Sequence, residues 1–340
     1  MKSVVTFGEL MLKLSPLGYG RFVQSSQFNV EYSGAEANVA VSLCNFGIPT
    51  RFVTALPKHE LGDAAVNTLR RFGVDTSFIV RSDKRLGIYF AEKGASQRPS
   101  KVIYDRADTA IANANPKDFN WDAIFEGVEW FHFTGITPAL SDCLANICLE
   151  ACRAAKVKGI TISCDLNYRK KLWSRERAKE VMTELCQYVD VCIANEEDAA
   201  DVFGITAENS EINSGVINSQ SYASVARQLQ HRFSFQKVAI TLRESISASD
   251  NNWSAILFDG QRIYTSRKYA IHIVDRIGGG DSFGAGLIYG LTQYGEPQKA
   301  LEFAVAASCL KQTIEGDFNL VSKAEVESLM NGNCNGRILR

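Results

Sequence analysis

The chain predicts an α/β fold, a central mostly parallel sheet with helices on both faces and a small β-sheet lid. Three observations predict it. From about residue 122 short apolar runs alternate with amphipathic stretches in units of about 25 to 40 residues, the pattern of strand–helix–strand units. Two extended segments within 87–106 are joined by a polar Gly/Pro-containing connection, which reads as a hairpin outside that alternation. Near the C-terminal end, Gly278-Gly279-Gly280-Asp281 leads into a stretch whose apolar spacing Phe283, Leu287, Leu291 is helical.

The elements follow in order. Val4–Phe7 is a short apolar run ending at Gly8-Glu9, a first buried strand. Residues 10–33 alternate weakly around turn signals at Pro16 to Gly20, as strands outside the main core do. Ser33-Gly34-Ala35-Glu36 has the spacing of a capping box, with a helix to Phe46 that stops at Gly47 and Pro49. Residues 51–55 form a strand and 61–72 a helix ended by Gly73. Gly87–Glu92 and Lys101–Arg106 form the hairpin, and Tyr104 and Arg106 share a parity and hence a face. Strands then fall at 130–134, 159–164, 191–194 and 237–241, and helices at 141–156, 174–186 and 196–203. Ala207–Ser221 is polar and reads as a surface loop. Helices at 297–313 and 322–330 close the chain. The expected organisation is one domain over 1–340, with lid strands within about 10–33 and 87–106 inserted in it.

Composition bounds the function. The chain has 340 residues, 46% of them hydrophobic, and a net charge of −1, which gives no reason to expect nucleic acid or an anionic membrane as partner. No apolar run approaches the ~18 residues of a membrane span, and the apolar part of Met1–Gly8 is too short for a signal peptide. Nine cysteines without a C-x-x-C pair fit a reduced, cytoplasmic protein. The four histidines, His59, His132, His231 and His272, share no metal-ligand spacing.

The chemistry concentrates at the glycine turn. Three glycines leave the N–H groups of residues 278 to 281 uncovered at a helix N-terminus, where an anion is favoured. A carboxylate within an anion cradle makes sense where the acid must touch the group that attacks a phosphate. The plainer alternative is an Asp-capped helix with a flexible entry turn. A Walker A loop and a dinucleotide fingerprint are both missing, since the chain has no Gly-Lys pair and no GxGxxG. Asp165, Asn167 and Arg169 follow the 159–164 strand with a spacing of two, so an extended chain would present them together at the strand's C-terminal end. An Asp165–Arg169 ion pair beside a polar turn is the structural alternative.

Gly278-Gly279-Gly280-Asp281 before a small-residue helix resembles the signature of the ribokinase-like (PfkB) carbohydrate kinases, with Gly279 where that family usually has Ala. Asp165-Leu166-Asn167-Tyr168-Arg169, Thr134–Leu140, Gly34–Ala40 and the Tyr104-x-Arg106 pair extend the resemblance from Gly8 to about Asp317. Within the family they resemble most the kinases of 2-keto-3-deoxygluconate. The resemblance implies ATP and Mg²⁺ as cosubstrate and metal, with a monovalent cation such as K⁺ in some relatives, near Asp275. It implies that Asp281 is the base and that Gly278, Gly279, Gly280 and Asp281 form the anion hole. Gly34, Asn38, Tyr89, Tyr104, Arg106, Arg169, Asp281 and Asp317 would contact the sugar. Asn167, Arg169, Thr241, Gly278 and Gly280 would contact ATP, and Asn195 and Asp198 the metal, directly or through water. A sugar acid also needs a cation for its carboxylate, and Arg106 and Arg169 supply two. The expected reaction is 6-phosphorylation of 2-keto-3-deoxy-D-gluconate. A fructokinase or other hexose kinase is the alternative, and a non-catalytic sugar-acid sensor a distant one. Paired lids would make a homodimer and hide their strand edges. Two departures stand out. Asp198 replaces the Glu of the family's Asn-x-x-Glu, and Leu242–Trp253, expected as a longer polar loop, lacks the glycine turn that usually follows the nucleotide strand.

Overall fold

The computed structural model describes residues 2–195, 197–207 and 219–333. Most of the stretch read as the 207–221 loop, and Glu196 in the expected 196–203 helix, therefore lie outside the described residues.

A ten-stranded sheet forms the centre. From edge to edge it runs β13 (Ile263–Thr265), β12 (Asp250–Phe258), β11 (Lys237–Ser245), β10 (Val191–Ala194), β9 (Thr161–Asp165), β8 (Val128–Thr134), β1 (Ser3–Phe7), β4 (Thr50–Pro57) and β5 (Ile79–Ser82). A further strand, β14 (Tyr269–His272), pairs with the start of β12. Pairing is parallel from β11 to β5 and antiparallel among β11, β12, β13 and β14. The chain winds from β1 through β4 to β5, then returns to β8 on the other side of β1. That reversal opens a crevice at the C-terminal ends of β1 and β8, where open α/β sheets bind ligands.

Strand periodicity sorts the core into two faces. Val5 and Phe7, Cys192 and Val238 belong to one apolar cluster; Val4, Val191, Ile193 and Ala239 belong to the opposite one. The first is roofed by α4 (Asp142–Val157), α5 (Arg175–Leu185), α6 (Asp198–Phe203) and α7 (Ser219–Phe233), with the short α3 (Trp121–Ile124) at its margin. The second is roofed by α1 (Ala35–Asn45), α8 (Gly279–Gln293), α9 (Pro297–Lys311) and α10 (Lys323–Met330). A third cluster lies between α1, β4 and α2 (Glu60–Arg71). Helices α8 and α9 approach backbone to backbone: a Cβ on Gly290 would lie 2.5 Å from the Ala300 Cα, and one on Gly286 2.8 Å from the Ala304 Cα. The small residues of α8 thus fix the position of the helix that begins at the glycine turn.

The second sheet is the lid, in the order β3 (Phe28–Ser33), β2 (Met11–Pro16), β6 (Gly87–Glu92), β7 (Lys101–Asp105). Among the described residues its outer strands β3 and β7 are unpaired along one edge, and they expose Phe28, Val30, Ile103 and Tyr104.

Three local expectations change. The capping box at Ser33 does not form. Ser33 ends β3, Gly34 is the N-cap, and Glu36 is buried, where it accepts from Thr134 N at 3.0 Å and from the Thr134 and Thr137 hydroxyls at 2.7 Å each. Tertiary partners for both side chains outcompete the local reciprocal bonds. The extended run expected from Asp165 to Arg169 ends at Asp165, because Asn167 takes a left-handed φ of 41°. The expected loop at 242–253 is instead the extension of a hairpin. Strands β11 and β12 stay paired out to Ser245 and Asn251, and only 246–249 turn. Polar composition marks that hairpin as leaving the core, not as irregular.

Candidate active site

Between the lid and the crevice lies a cavity of about 480 Å³, a size usual for small-molecule sites. Gly34, Asn38, Tyr89, Tyr104, Arg106, Asn167, Arg169, Asn195, Asp198, Thr241, Gly278, Gly279, Gly280, Asp281 and Asp317 all line it. Residues scattered over nearly the whole chain are brought together by the C-terminal ends of β8, β9 and β10, by β11, by the start of α1 and by the turn into α8.

Asp281 stands in the first turn of α8 and accepts from Asn38 Nδ2 at 2.7 Å. Burial pushes its carboxyl up to about 7; the Asn38 hydrogen bond opposes this, and the charges of Glu36 and Asp317 add to it. The other amide atom of Asn38, Oδ1, is buried without a partner among the described residues and is available to a ligand hydroxyl. Of the four backbone N–H groups in the turn, Gly279's is spent on the Arg276 carbonyl at 3.3 Å. Those of Gly278, Gly280 and Asp281 have no acceptor among the described residues. Gly278 is required twice over: its φ is +82°, and a Cβ there would lie 2.0 Å from the Asp317 carbonyl oxygen. Gly34 admits no side chain either, since a Cβ would lie 1.9 Å from the Glu9 carbonyl oxygen. Behind the turn, Ser308 donates to the Gly279 carbonyl at 2.7 Å. Asp275 accepts from the N–H groups of Ile277 and Gly316, and its carbonyl accepts from buried Lys311 Nζ at 3.1 Å.

Asp317 faces the same cavity in a different setting. It accepts from Lys13 Nζ at 2.5 Å, from Ser33 Oγ at 2.7 Å and from the Tyr89 hydroxyl. Lys13 is buried and also pairs with Glu31 at 2.8 Å. Burial by itself would raise the Asp317 carboxyl, but Lys13 outweighs it and holds the group below the usual carboxylate value. The same pairing holds the Lys13 ammonium above its usual value, against the pull of burial.

The two expected carboxylate-binding arginines separate. Arg106 turns its Nε and Nη2 onto Glu9 at 2.9 and 2.5 Å and stacks on Tyr104, 5.2 Å from the ring centroid. Arg169 is half-buried on the cavity wall and has no salt bridge among the described residues; the alternative Asp165–Arg169 ion pair is not formed. Among the described residues its guanidinium donates to the neighbouring Tyr168 carbonyl alone, at 3.0 Å.

The expected metal residues partly satisfy each other. The Asn195 amide oxygen accepts from the N–H groups of Glu197 and Asp198, while Asp198 accepts from those of Asn195 and Tyr168. Asp165 lies beside Asp198 and Asp281; burial first, then those two charges, push its carboxyl well up. No group of three metal-ligating side chains occurs among the described residues, so a divalent ion here would take much of its coordination from phosphate and water, as Mg²⁺ does in phosphoryl-transfer sites. Arg169 offsets part of the charge of Asp165, Asp198 and Asp281, and the remaining excess of acid in this corner suits such an ion.

Glu9, Lys13, Ser33, Arg243 and Arg276 also belong to this neighbourhood and were not expected. Glu9 was findable, since it directly follows the first strand at its C-terminal end. Lys13, within Met11-Leu12-Lys13-Leu14, is legible as a charge in an apolar strand, but its partners come from Glu31, Asp275 and Asp317, far away in sequence.

No helix among the described residues is long and apolar enough to cross a membrane. Residues 1–322 match the model of the pfkB family carbohydrate kinases. A crystal structure of 2-dehydro-3-deoxygluconokinase from Thermotoga maritima is 51% identical, with a TM-score of 0.94, over 98% of this chain and 100% of that one. The 2-dehydro-3-deoxygalactonokinase of Haloferax volcanii is 34% identical over 330 residues, 97% of this chain and 96% of that protein. An Escherichia coli structure described as a ribokinase II with ATP and Mg²⁺ shares the fold at 20% identity and a TM-score of 0.80, over 97% of this chain and 99% of that one. With a glycine turn, a half-buried acid and a lidded cavity in the arrangement a sugar kinase needs, the chain belongs to the pfkB family of carbohydrate kinases.

Proposed function

We propose that this carbohydrate kinase transfers the terminal phosphoryl group of ATP to the primary 6-hydroxyl of 2-keto-3-deoxy-D-gluconate. The observation that carries the reading is that Asp281, beside amides with no acceptor among the described residues at the start of α8, shares the cavity with Arg169, which makes no salt bridge among those residues. Asp281 accepts the proton of the attacking hydroxyl. A carboxyl near 7 suits a base working at neutral pH. The N–H groups of Gly278, Gly280 and Asp281 hold the charge that develops on the transferred group. Arg169 takes the sugar carboxylate; Arg106, already on Glu9, orients Tyr104 and shapes the wall. Asn38 Oδ1 and Gly34, which lets the chain pass close, serve the sugar hydroxyls. Asp317 holds the lid strands β2, β3 and β6 through Lys13, Ser33 and Tyr89.

Kinases of this family use ATP with Mg²⁺. Asp165 and Asp198, with Asn195, would hold the ion, which supplies charge neutralisation of the phosphates. Lys311 Nζ already donates to the Asp275 carbonyl, so that oxygen is engaged where a K⁺ ion was expected. The lid's open β3 and β7 edges, with their exposed apolar side chains, support a homodimer closed lid to lid.

A second reading replaces gluconate by its galactonate epimer, favoured by the 34% likeness to a galactonokinase. ADP release measured with 2-keto-3-deoxygluconate, 2-keto-3-deoxygalactonate, fructose and ribose decides between them. The expected order is the gluconate derivative first, with Arg169→Ala lowering kcat/KM for it about 10- to 100-fold, the worth of a charge-assisted pair. Fructose turnover that equals the acid's and survives Arg169→Ala overturns the assignment.

A further inference from the structure

The last turn of α9 grips the loop that leads into the glycine turn. Ser308, Lys311 and Gln312 stand at i, i+3 and i+4, so they share one side of the helix end. Ser308 donates to the Gly279 carbonyl at 2.7 Å. The Gln312 carbonyl accepts from the N–H groups of Val274 and Asp275 at 2.9 and 3.2 Å. Lys311 Nζ donates to the Asp275 carbonyl at 3.1 Å. The segment from 274 to 279, whose amides include part of the anion hole, is therefore held at both ends by one helix terminus.

Lys311 is the unusual member of this grip. It is fully buried, its acceptor is a neutral carbonyl, and it forms no salt bridge among the described residues. A lysine is rarely buried without an ion pair. Burial lowers its pKa, and the charges of Asp275 and Asp317 oppose that. A cation set on a backbone carbonyl is what a bound monovalent ion would be at this place. The surroundings of Asp275 do not fit a free ion, which must exchange its water for carbonyl and carboxylate oxygens. The carbonyl is engaged by Lys311. The carboxylate oxygen Oδ2 accepts from the Gly316 N–H at 3.3 Å and lies 3.8 Å from both Lys13 Nζ and Lys93 Nζ. Three ammonium groups around one residue repel a further cation.

We propose that the ammonium of Lys311 is a tethered cation that holds the Asp275 carbonyl, and through it the anion-hole turn, in the place of an exchangeable monovalent ion. Lys311 is a positioning residue: it acts through the 275–279 loop and does not line the cavity. Catalysis accordingly needs no K⁺. The inference rests on the kinase reading for its assay.

The test uses the full-length protein with ATP and Mg²⁺, in KCl, NaCl and tetramethylammonium chloride at one ionic strength. Wild-type turnover is expected to agree within about twofold across the three salts, and the melting temperature within about 1 °C. Lys311→Met keeps most of the length and removes the charge. Its kcat should fall about tenfold or more, with sugar-acid affinity by calorimetry kept within about twofold. Lys311→Ala also opens the space. K⁺ or NH₄⁺ should recover its kcat about threefold or more over tetramethylammonium, and raise its melting temperature by about 2 °C. Activation of the wild type by K⁺ beyond about twofold overturns the proposal without any variant. A folded Lys311→Met with kcat within about twofold of wild type overturns it too. So does a loss in Lys311→Ala that no cation repairs while circular dichroism matches the wild type, since Lys311 is then a packing side chain. Should neither variant fold, the wild-type salt series decides. The two readings fail separately. A wild type that phosphorylates fructose but no sugar acid, equally in all three salts, sinks the substrate assignment and keeps the tethered cation. A wild type that phosphorylates the sugar acid only in K⁺ sinks the tethered cation alone.

Discussion

Asp281 and Asp317 open onto the same cavity but sit in opposite surroundings. Asp317 is wrapped by cation and hydroxyl donors, Lys13, Ser33 and Tyr89, and is held ionised. Asp281 has one neutral donor among the described residues, Asn38, and burial, with the charges of Glu36 and Asp317 adding to it, pushes it to about 7. Environments that push two carboxyls apart assign their roles. The one with a full set of partners is committed to holding the lid strands, and the one left poised near neutrality is free to accept a proton. Residue type alone distinguishes neither.

The largest effect expected along this divide is on turnover. Asp281→Asn keeps the size and the Asn38 contact but removes the base, so kcat should fall about 10²- to 10⁴-fold while sugar affinity is largely kept. Near-wild-type kcat in that variant would erase the contrast. On the other side, Lys13→Met leaves Asp317 and Glu31 facing each other without their cation, and is expected to cost about 3–5 kcal/mol in urea unfolding. A loss below about 1 kcal/mol would mean the network is not what holds Asp317 down.

A titration sharpens the comparison by sign. Asp281's folded value lies above the ordinary carboxylate value, so folding takes up a proton between about pH 4 and 7. That group's contribution to stability falls as pH rises through the window, and Asp281→Asn should gain in melting temperature relative to wild type as pH goes from 4 to 8. Asp317's folded value is lowered, so its contribution is present above the unfolded value and lost as pH falls through the folded one. Asp317→Asn should therefore be destabilised most at neutral pH. Two difference curves of the same sign would contradict the assignment. In kinetics, kcat/KM for the sugar should rise to a plateau with an apparent pKa near 7. The smallest effect is expected from Tyr89→Phe, which removes one donor to Asp317 and should cost about 1.5–3 kcal/mol of stability with kcat little changed.

Much of the molecule is legible in its sequence. Apolar runs of the right length at 130–134, 191–194 and 237–241 became β8, β10 and the inner half of β11, because a strand buried on both faces must be apolar throughout. The strands β5, β13 and β14 and helix α7 were not anticipated. They are short, half-polar or at the sheet's margin, where packing against neighbours decides the conformation. Ser33 and Glu36 show the limit from the other side, since a valid local motif lost to partners from Asp317, Thr134 and Thr137.

What the sequence determined by itself is the alternation that builds the sheet, the glycine turn with its acid, and the residue types a sugar kinase needs. These are local properties, fixed by side-chain period and backbone freedom. Only the tertiary structure decided which of two arginines keeps a free fork, which of two aspartates stays near neutral pH, and that a polar stretch at 242–253 is a paired hairpin facing the cavity. Each of those depends on the charges and donors that folding brings within a few ångströms from distant parts of the chain, and electrostatic interactions at that range outweigh what neighbours in sequence supply.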